Sequence, residues 1–308
     1  MDRLGRVVCG VVVGIGAAAL VGTGCGPFEY EPFAGWGSGA GAEGGADGGG
    51  ASGTGGAGGM GGAGGMGGGP LVGPLPVVRY MINEATNGTA ITEIGDVMPY
   101  PLNLTMTYGE NRPNFSADSL GNRGLFWTGT DLDGRASTPV NQTKVNQLLG
   151  SSTAATIELV VDVLGKKDWT RLLFIGTNGT DSFSFLFDDS NRACIRRNSN
   201  HAGCWPEAQI LGKGRIVVHA VMNTSLDDAN ERSKLYTNGM PMTGGSEFPN
   251  KNTTISLSNT DRLVLGNRAS GGRSAHGTIY YAAIYAAALT EAEIQTNAAL
   301  LLINDDQP

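Results

Sequence analysis

The sequence predicts an all-β domain, an antiparallel sandwich or barrel, in the part of the chain that follows residue 75. Short runs rich in Val, Ile, Leu, Phe, Thr and Tyr alternate there with turn clusters, and two of these turns contain Asn-Gly. Many short strands at such spacing are typical of β-sandwiches and barrels. We predict strands at residues 77–83, 102–108, 124–128, 156–163, 171–175, 182–187, 215–222, 233–236, 253–257, 262–265 and 277–285.

Two of the turns predict hairpins. Asn178-Gly179 separates the runs 171–175 and 182–187, and Asn238-Gly239 follows the run 233–236. Glycine adopts a positive φ without steric cost, which the tight turns of hairpins require. We therefore expect antiparallel pairing on both sides of each turn.

The run 156–163 alternates as a strand with one face on the core. Ile157, Leu159, Val161 and Val163 share one face, and Glu158, Val160 and Asp162 share the other. The first set is predicted to enter the core. The two carboxylates are predicted to be solvated.

One helix is predicted, at residues 291–303. Thr290 can accept a hydrogen bond from the first turn, and Glu293 three residues later completes a capping box. The apolar stripe that would pack against the rest of the domain consists of Leu289, Ile294, Ala298 and Leu301.

Residues 1–24 have the shape of a secretory signal peptide. Two arginines precede an uncharged apolar run that is shorter than the roughly 20 residues of a membrane-spanning helix. Small residues lie directly before Cys25, and this arrangement resembles the lipobox of bacterial lipoproteins. The resemblance implies cleavage before Cys25, its acylation, and export to the bacterial outer membrane or cell surface. An uncleaved signal anchor and a cysteine that lies there by chance are the alternatives.

Residues 25–74 are predicted to be a lipid-anchored, disordered linker, and residues 75–308 the folded domain. Most of residues 35–69 are glycine, without the apolar periodicity that could offset backbone entropy.

The formal net charge of the chain is −7, which argues against a general nucleic-acid binder. The expected partners are a membrane, through the lipid anchor, and a glycan or extracellular protein.

Several stretches of the folded part resemble the laminin G-like domain of the concanavalin A-like lectin/glucanase superfamily. Residues 155–163 are similar to its central strand, and Leu235-Tyr236-Thr237-Asn238-Gly239 to its Leu-Tyr-x-Asn-Gly hairpin. Residues 262–267, 277–285 and 288–294 resemble its closing strands and its Leu-Ser/Thr-x-x-Glu-Ile helical turn. The resemblance spans residues 77–302 and implies a two-sheet antiparallel jelly roll whose first and last strands are adjacent.

That superfamily contains lectins, adhesion modules, glucanases and structural domains, so the fold alone does not determine function. We expect a non-catalytic module that binds a glycan or an extracellular protein. A structural envelope component and a glycoside hydrolase of the same superfamily are the alternatives.

Cys194 and Cys204 are the only cysteines in the predicted domain, and an exported chain favours a disulfide between them. Such a bond would hold a projecting loop that carries four candidate ligand contacts: Arg196, Arg197, His201 and Trp205. An aromatic ring beside hydrogen-bonding side chains suits sugar or anion contact. A purely structural loop is the alternative.

Asp131-Leu132-Asp133-Gly134 resembles the calcium loops of some laminin G-like domains, so Asp131 and Asp133 are calcium candidates. Calcium needs six to eight oxygen ligands, and an ordinary turn is the alternative. No other cofactor is expected.

The sequence offers no catalytic residues. Glucanases of the superfamily commonly carry Glu-x-Asp-x-x-Glu, which is absent here. Glu158 and Asp162 would lie about 13 Å apart along one strand, whereas retaining hydrolysis needs carboxyl groups about 5 to 5.5 Å apart. Asp188-Asp189 is predicted to be a turn, His219 a core histidine and His276 a surface histidine. We therefore expect no enzyme.

Overall fold

The computed structural model describes residues 71–83 and 85–306, so the predicted leader, Cys25 and most of the predicted linker lie outside the described residues. The elements in chain order are β1 (Val78–Met81), β2 (Glu93–Ile94), β3 (Leu104–Thr107), β4 (Asn114–Ala117), β5 (Arg123–Thr128), β6 (Arg135–Pro139), α1 (Lys144–Leu149), β7 (Ala154–Gly165), β8 (Thr170–Gly176), β9 (Asp181–Phe187), β10 (Arg192–Arg197), β11 (Asn200–Pro206), β12 (Arg215–Asn223), β13 (Ser233–Thr237), β14 (Met240–Pro241), β15 (Arg262–Leu265), β16 (His276–Tyr285) and α2 (Glu291–Ile303).

The strands form two antiparallel sheets. Sheet A has the order β14-β13-β12-β7-β16-β5-β4, and β1 also pairs with β16. Sheet B has the order β11-β10-β9-β8-β15-β6-β3-β2. The predicted all-β antiparallel sandwich is confirmed, and so is the adjacency of the first and last strands.

The main core lies between the two sheets. Alternate residues of β7 (Ile157, Leu159 and Val161) enter it from sheet A, and Phe183 and Phe185 enter it from β9 of sheet B. Full burial of one such side chain contributes about 1.5 to 3 kcal/mol. Both Asn-Gly turns form the predicted hairpins, which join β8 to β9 and β13 to β14.

Helix α2 covers the outer face of sheet A. Its residues Ile294, Ala298 and Leu301 pack with Tyr281 and Tyr285 of β16 in a second apolar cluster. The predicted capping box is present. As a result, the centre of sheet A is buried on both sides.

Arg215 of β12 fixes the end of α2. Its guanidinium donates to the carbonyl oxygens of Leu301 and Leu302, at 2.8 and 3.1 Å. These carbonyl groups lie in the last turn and have no hydrogen-bond partner within the helix. A positive charge at this end also interacts favourably with the negative end of the helix dipole.

Residues 253–257 do not form the predicted strand. Ile255 is buried, but its backbone exchanges hydrogen bonds with Ser151 and Ser152 in a loop instead of a sheet ladder. Strands β2, β4, β6, β10 and β11 were not predicted. Among the described residues, no helix is long and apolar enough to cross a membrane.

Candidate functional site

The segment that was expected to be a projecting loop is a β-hairpin at the edge of sheet B, formed by β10 and β11. Arg197 pairs with Asn200 across a two-residue turn, in which Asn198 and Ser199 have φ angles of 48° and 64°. Positive φ at both central residues suits the twist of a hairpin. The predicted disulfide is confirmed: Cys194 lies directly opposite Cys204, with Cα atoms 4.2 Å apart.

The hairpin separates the four candidate contact residues. Arg196 and His201 are paired neighbours and are partly exposed on the outer face of sheet B. Trp205 is only 3% exposed and packs edge-on against Phe248. Arg197 is buried and donates to the carbonyl oxygen of Thr254 at 3.1 Å. The expectation that all four project from one loop is therefore wrong.

A groove of about 400 Å³ lies on the outer face of sheet B beside the hairpin. It is lined by Trp169, Arg196, Ser199, Asn200, His201, Glu247 and Phe248. The guanidinium carbon of Arg196 lies 5.1 Å from the centroid of the Trp169 ring. The imidazole of His201 stacks near the same ring at 6.0 Å, with planes 15° apart. We call this feature the hairpin groove.

Trp169 was not a sequence-based candidate. It directly precedes β8 and has a φ of 62°, an uncommon conformation for a bulky residue. Such strain is found at functional sites more often than elsewhere. The signal in the sequence was an aromatic residue directly after the charged run Lys166-Lys167-Asp168.

Arg196 is held in place by an ion network. It donates to Oδ2 of Asp181 at 3.2 Å, and Arg171 donates to both carboxylate oxygens of Asp181 at 2.8 and 2.9 Å. Burial lowers the pKa of Arg171, and Asp181 opposes that shift. Asp181 and Arg171 therefore fix the planar guanidinium of Arg196 at the edge of the groove.

A second network positions His201. Its Nδ1 is hydrogen-bonded to Glu247, and Arg192 donates to Oε1 of Glu247 at 2.6 Å and to Oδ2 of Asp188 at 2.9 Å. The hydrogen bond from Arg192 lowers the pKa of Glu247 against the opposing effect of burial, and His201 adds to the lowering. Burial opposes ionisation of Asp188, but hydrogen bonds from Arg192 and from the backbone of Ser190 leave its pKa below the usual value.

Beyond the hairpin groove, the outer face of sheet B is covered. From β10 to β3, the strand register places residues side by side in the order Arg196, Ser184, Phe174, Val264, Ser137 and Thr105. Ser184, Phe174, Val264 and Ser137 are buried, and Phe174 and Val264 pack with Ala269 in a small apolar cluster. The groove is therefore a local site at the hairpin.

The two calcium candidates point in different directions. Asp133 is buried, and its oxygens accept hydrogen bonds from the hydroxyl groups of Thr128 and Ser274 at 2.5 and 2.6 Å and from the Gly129 N–H at 2.9 Å. Asp131 is exposed, 3.7 Å from the Lys167 ammonium. Asp133 thus stabilises a turn. An ordinary turn was the alternative to a calcium site in the sequence analysis.

Glu158 is not solvated as predicted. It is fully buried beneath α2 and paired with His219, which is the predicted core histidine. Its face of β7 is covered by a helix more than a hundred residues downstream, which the local alternation could not reveal. Asp162 remains partly exposed, and His276 begins β16 with partial exposure.

The two residues of the predicted turn Asp188-Asp189 lie in different environments. Asp188 is fully buried and faces the disulfide, with Oδ2 3.6 Å from Sγ of Cys194. Asp189 is exposed. Asp188 was not a metal candidate in the sequence, because its proximity to the cysteines depends on the hairpin.

A laminin G family model, described as the Concanavalin A-like lectin/glucanases superfamily, matches residues 133–295. No curated protein matches the chain. Several solved structures are similar to the chain, including the following three. One is Trypanosoma rangeli sialidase in complex with sialic acid (19% identity, 72% of this chain, 32% of that chain, TM-score 0.46). Another is domain 4 of AbnA, a GH43 extracellular arabinanase from Geobacillus stearothermophilus, in complex with arabinotriose (15% identity, 72% and 98%, 0.48). The third is a SAP-like pentraxin from Limulus polyphemus (20% identity, 48% and 70%, 0.36). The chain spans about a third of the length of the sialidases.

Proposed function

Because the chain belongs to the concanavalin A-like lectin/glucanases superfamily, we propose that its sandwich binds carbohydrate without cleaving it. The observation that carries the proposal is the hairpin groove, in which the ring of Trp169 lies beside the planar donors and acceptors of Arg196, Asn200 and Glu247. Sugars combine apolar C–H surface with dense hydroxyl groups. An aromatic ring and fixed polar groups suit both.

The size of the groove favours a short glycan. Its volume of about 400 Å³ lies in the lower part of the range for small-ligand sites, and the outer face of sheet B beyond it is covered. The charges of Arg171 and Arg196 are partly balanced by Asp181, so the site does not require an anionic ligand.

The lining of the groove supports binding without hydrolysis. Of the seven described residues that line it, Glu247 is the single carboxylate. Glycoside hydrolysis generally needs two carboxyl groups across the scissile bond. Glu158 has no access to solvent and Asp162 lies on the other sheet.

We place this module on a lipid-anchored, exported protein, with residues 1–24 as leader, 25–74 as anchored linker and 75–308 as the binding domain. The cysteine after the apolar run and the glycine-rich segment support this division. The disulfide agrees with an oxidising compartment.

Binding of the full-length protein to a glycan array, in the presence and absence of calcium, tests the proposed function. We expect binding to short oligosaccharides that does not depend on calcium, and intact oligosaccharides after prolonged incubation. An array without binding would contradict carbohydrate recognition and favour a protein partner or a structural role. Release of shorter sugars would contradict the non-catalytic assignment.

A further inference from the structure

Four side chains with metal-binding atoms converge beneath the hairpin groove. They are Asp188, Cys194, His201 and Cys204, and one ligand atom of each lies within 4.8 Å of those of the others. Two sulfur atoms, an imidazole nitrogen and a carboxylate oxygen are all ligands that zinc takes in tetrahedral protein sites.

The orientation of His201 suits a metal ligand. The hydrogen bond to Glu247 engages Nδ1, so the lone pair of Nε2 faces the cluster. Nε2 is buried, has no hydrogen-bond partner among the described residues, and lies 4.0 Å from Oδ2 of Asp188. A histidine that binds a metal through one nitrogen usually hydrogen-bonds a carboxylate or carbonyl through the other.

Arg192 organises both carboxylates around this cluster. It contacts Asp188, a potential ligand, and Glu247, which orients His201. Two thiolates and one carboxylate around Zn²⁺ leave one negative charge, and the adjacent guanidinium would balance it.

In the oxidised chain the two sulfur atoms are bonded to each other and supply no thiolate. We propose that reduction of the Cys194–Cys204 disulfide converts the floor of the hairpin groove into a tetrahedral zinc site. The metal ligands are both thiolates, Nε2 of His201 and a carboxylate oxygen of Asp188. The inference does not depend on carbohydrate binding.

A dithiol or a phosphine supplies the two electrons that reduce the Cys194–Cys204 disulfide. A dithiol delivers two electrons and two protons: its own thiols join as a disulfide, and the Cys194–Cys204 bond becomes two thiols. Binding of Zn²⁺ releases the two thiol protons, and the metal does not change its oxidation state. At a Zn–S distance of about 2.3 Å the sulfur atoms lie about 3.8 Å apart. Rotation of two directly opposed side chains can reach that spacing.

Zinc would then replace the disulfide as the cross-link between β10 and β11. The hairpin would keep its shape in a reducing environment, because either the S–S bond or the metal ties Cys194 to Cys204. The groove above it, including His201, would be preserved in both states.

The test uses the full-length protein, reduced anaerobically with a phosphine, desalted and titrated with Zn²⁺ against a chromophoric chelator. Co²⁺ in place of zinc gives a thiolate charge-transfer band that reports sulfur ligation directly. We expect one additional metal per chain in the reduced protein compared with the Cys194→Ser/Cys204→Ser variant, which retains the other two cysteines. The oxidised protein should match that variant.

Single variants separate ligation from folding. His201→Ala and Asp188→Asn should weaken zinc binding at least tenfold, and Glu247→Gln, which acts through His201, roughly ten- to a hundredfold. Asp189→Asn, the exposed neighbour of Asp188, should bind zinc as the unmodified protein does. Equal zinc binding by the reduced protein and the double serine variant would overturn the proposal. So would undiminished affinity in His201→Ala, or a cobalt complex without a thiolate band.

Discussion

Nε2 of His219 lies 2.8 Å from Oε2 of Glu158, and neither side chain is exposed to solvent. The hydroxyl groups of Tyr281 and Tyr285 donate to Oε1 of the same carboxylate, at 2.9 and 2.8 Å. Asn297 of α2 approaches Oε2 at 3.4 Å. The contact therefore links β7, β12, β16 and α2 in the centre of the second apolar cluster.

His219→Ala should destabilise the domain by about 3 to 5 kcal/mol, because it removes one partner of a buried pair and leaves a carboxylate in an apolar environment. Urea denaturation measures the loss. His276→Ala, a partly exposed histidine on the same sheet, should cost much less. Equal losses of unfolding free energy in the two variants would show that the buried pair stabilises the domain no more than the partly exposed His276 does.

The same pair predicts a pH dependence. Burial opposes ionisation of Glu158, but hydrogen bonds from His219, Tyr285 and Tyr281 lower its pKa below the ordinary 4.5. A lowered pKa means that the ionised group stabilises the folded chain above about pH 4.5, and that this stability is lost as the pH falls through the folded pKa.

Glu158→Gln should therefore be less stable at neutral pH and lose less stability on acidification. Denaturation curves between pH 7 and pH 3 compare the two proteins. Other carboxylates titrate in both proteins. The difference between the two plots of unfolding free energy against pH therefore reports the titration of Glu158. Parallel pH profiles would contradict the assigned direction of its pKa.

The sequence predicted the sandwich because many short apolar runs alternate with turn clusters, and two of these turns carry Asn-Gly. It also predicted α2 correctly, since Thr290 and Glu293 form a local signal. It did not predict that α2 covers Glu158. That contact joins residues far apart in the chain, and a polar residue on one strand face looks the same whether water or a helix covers it.

The hairpin of β10 and β11 escaped prediction for another reason. Its inward residues include the small Ala193 and Ala202, and its outward residues include arginines, so neither strand looks apolar. The turn residues Asn198 and Ser199 offered the available signal, because asparagine tolerates positive φ. Without the hairpin, Arg196 and His201 could be named but Trp169 and Asp188 could not be placed beside them.

Thr290→Ala should destabilise the domain by about 1 kcal/mol, because it removes one half of the capping box on α2. Thermal and urea denaturation both measure the effect. Thr296→Ala is the matched control: it is an exposed threonine in the middle of the same helix, where alanine has the higher helix propensity. A loss in the control as large as in Thr290→Ala would refute the role of the cap.

Trp169→Ala should weaken glycan binding at least about fivefold, equivalent to about 1 kcal/mol, because it removes the aromatic surface of the hairpin groove. Calorimetry with the best oligosaccharide from the array provides the measurement. Tyr100→Ala removes an aromatic residue that is 73% exposed in the segment after β2, at the opposite edge of sheet B, and should bind normally. Full affinity in Trp169→Ala would place the binding site elsewhere on the domain.

Cys25→Ser should release the protein from the membrane fraction and block removal of the leader, if Cys25 is the acylated residue. Each buried methylene of an acyl chain contributes about 0.8 kcal/mol, so several chains on one cysteine hold a protein firmly, whereas a glycine-rich linker has no comparable affinity for lipid. Detergent phase partitioning and the mass of the mature N-terminus are the measurements. Cys9→Ser changes a cysteine inside the predicted leader and should leave both unaltered. If Cys25→Ser still partitions into detergent and has the mass of the processed protein, Cys25 is not the anchor. The carbohydrate-binding proposal does not depend on this result, because it rests on the hairpin groove.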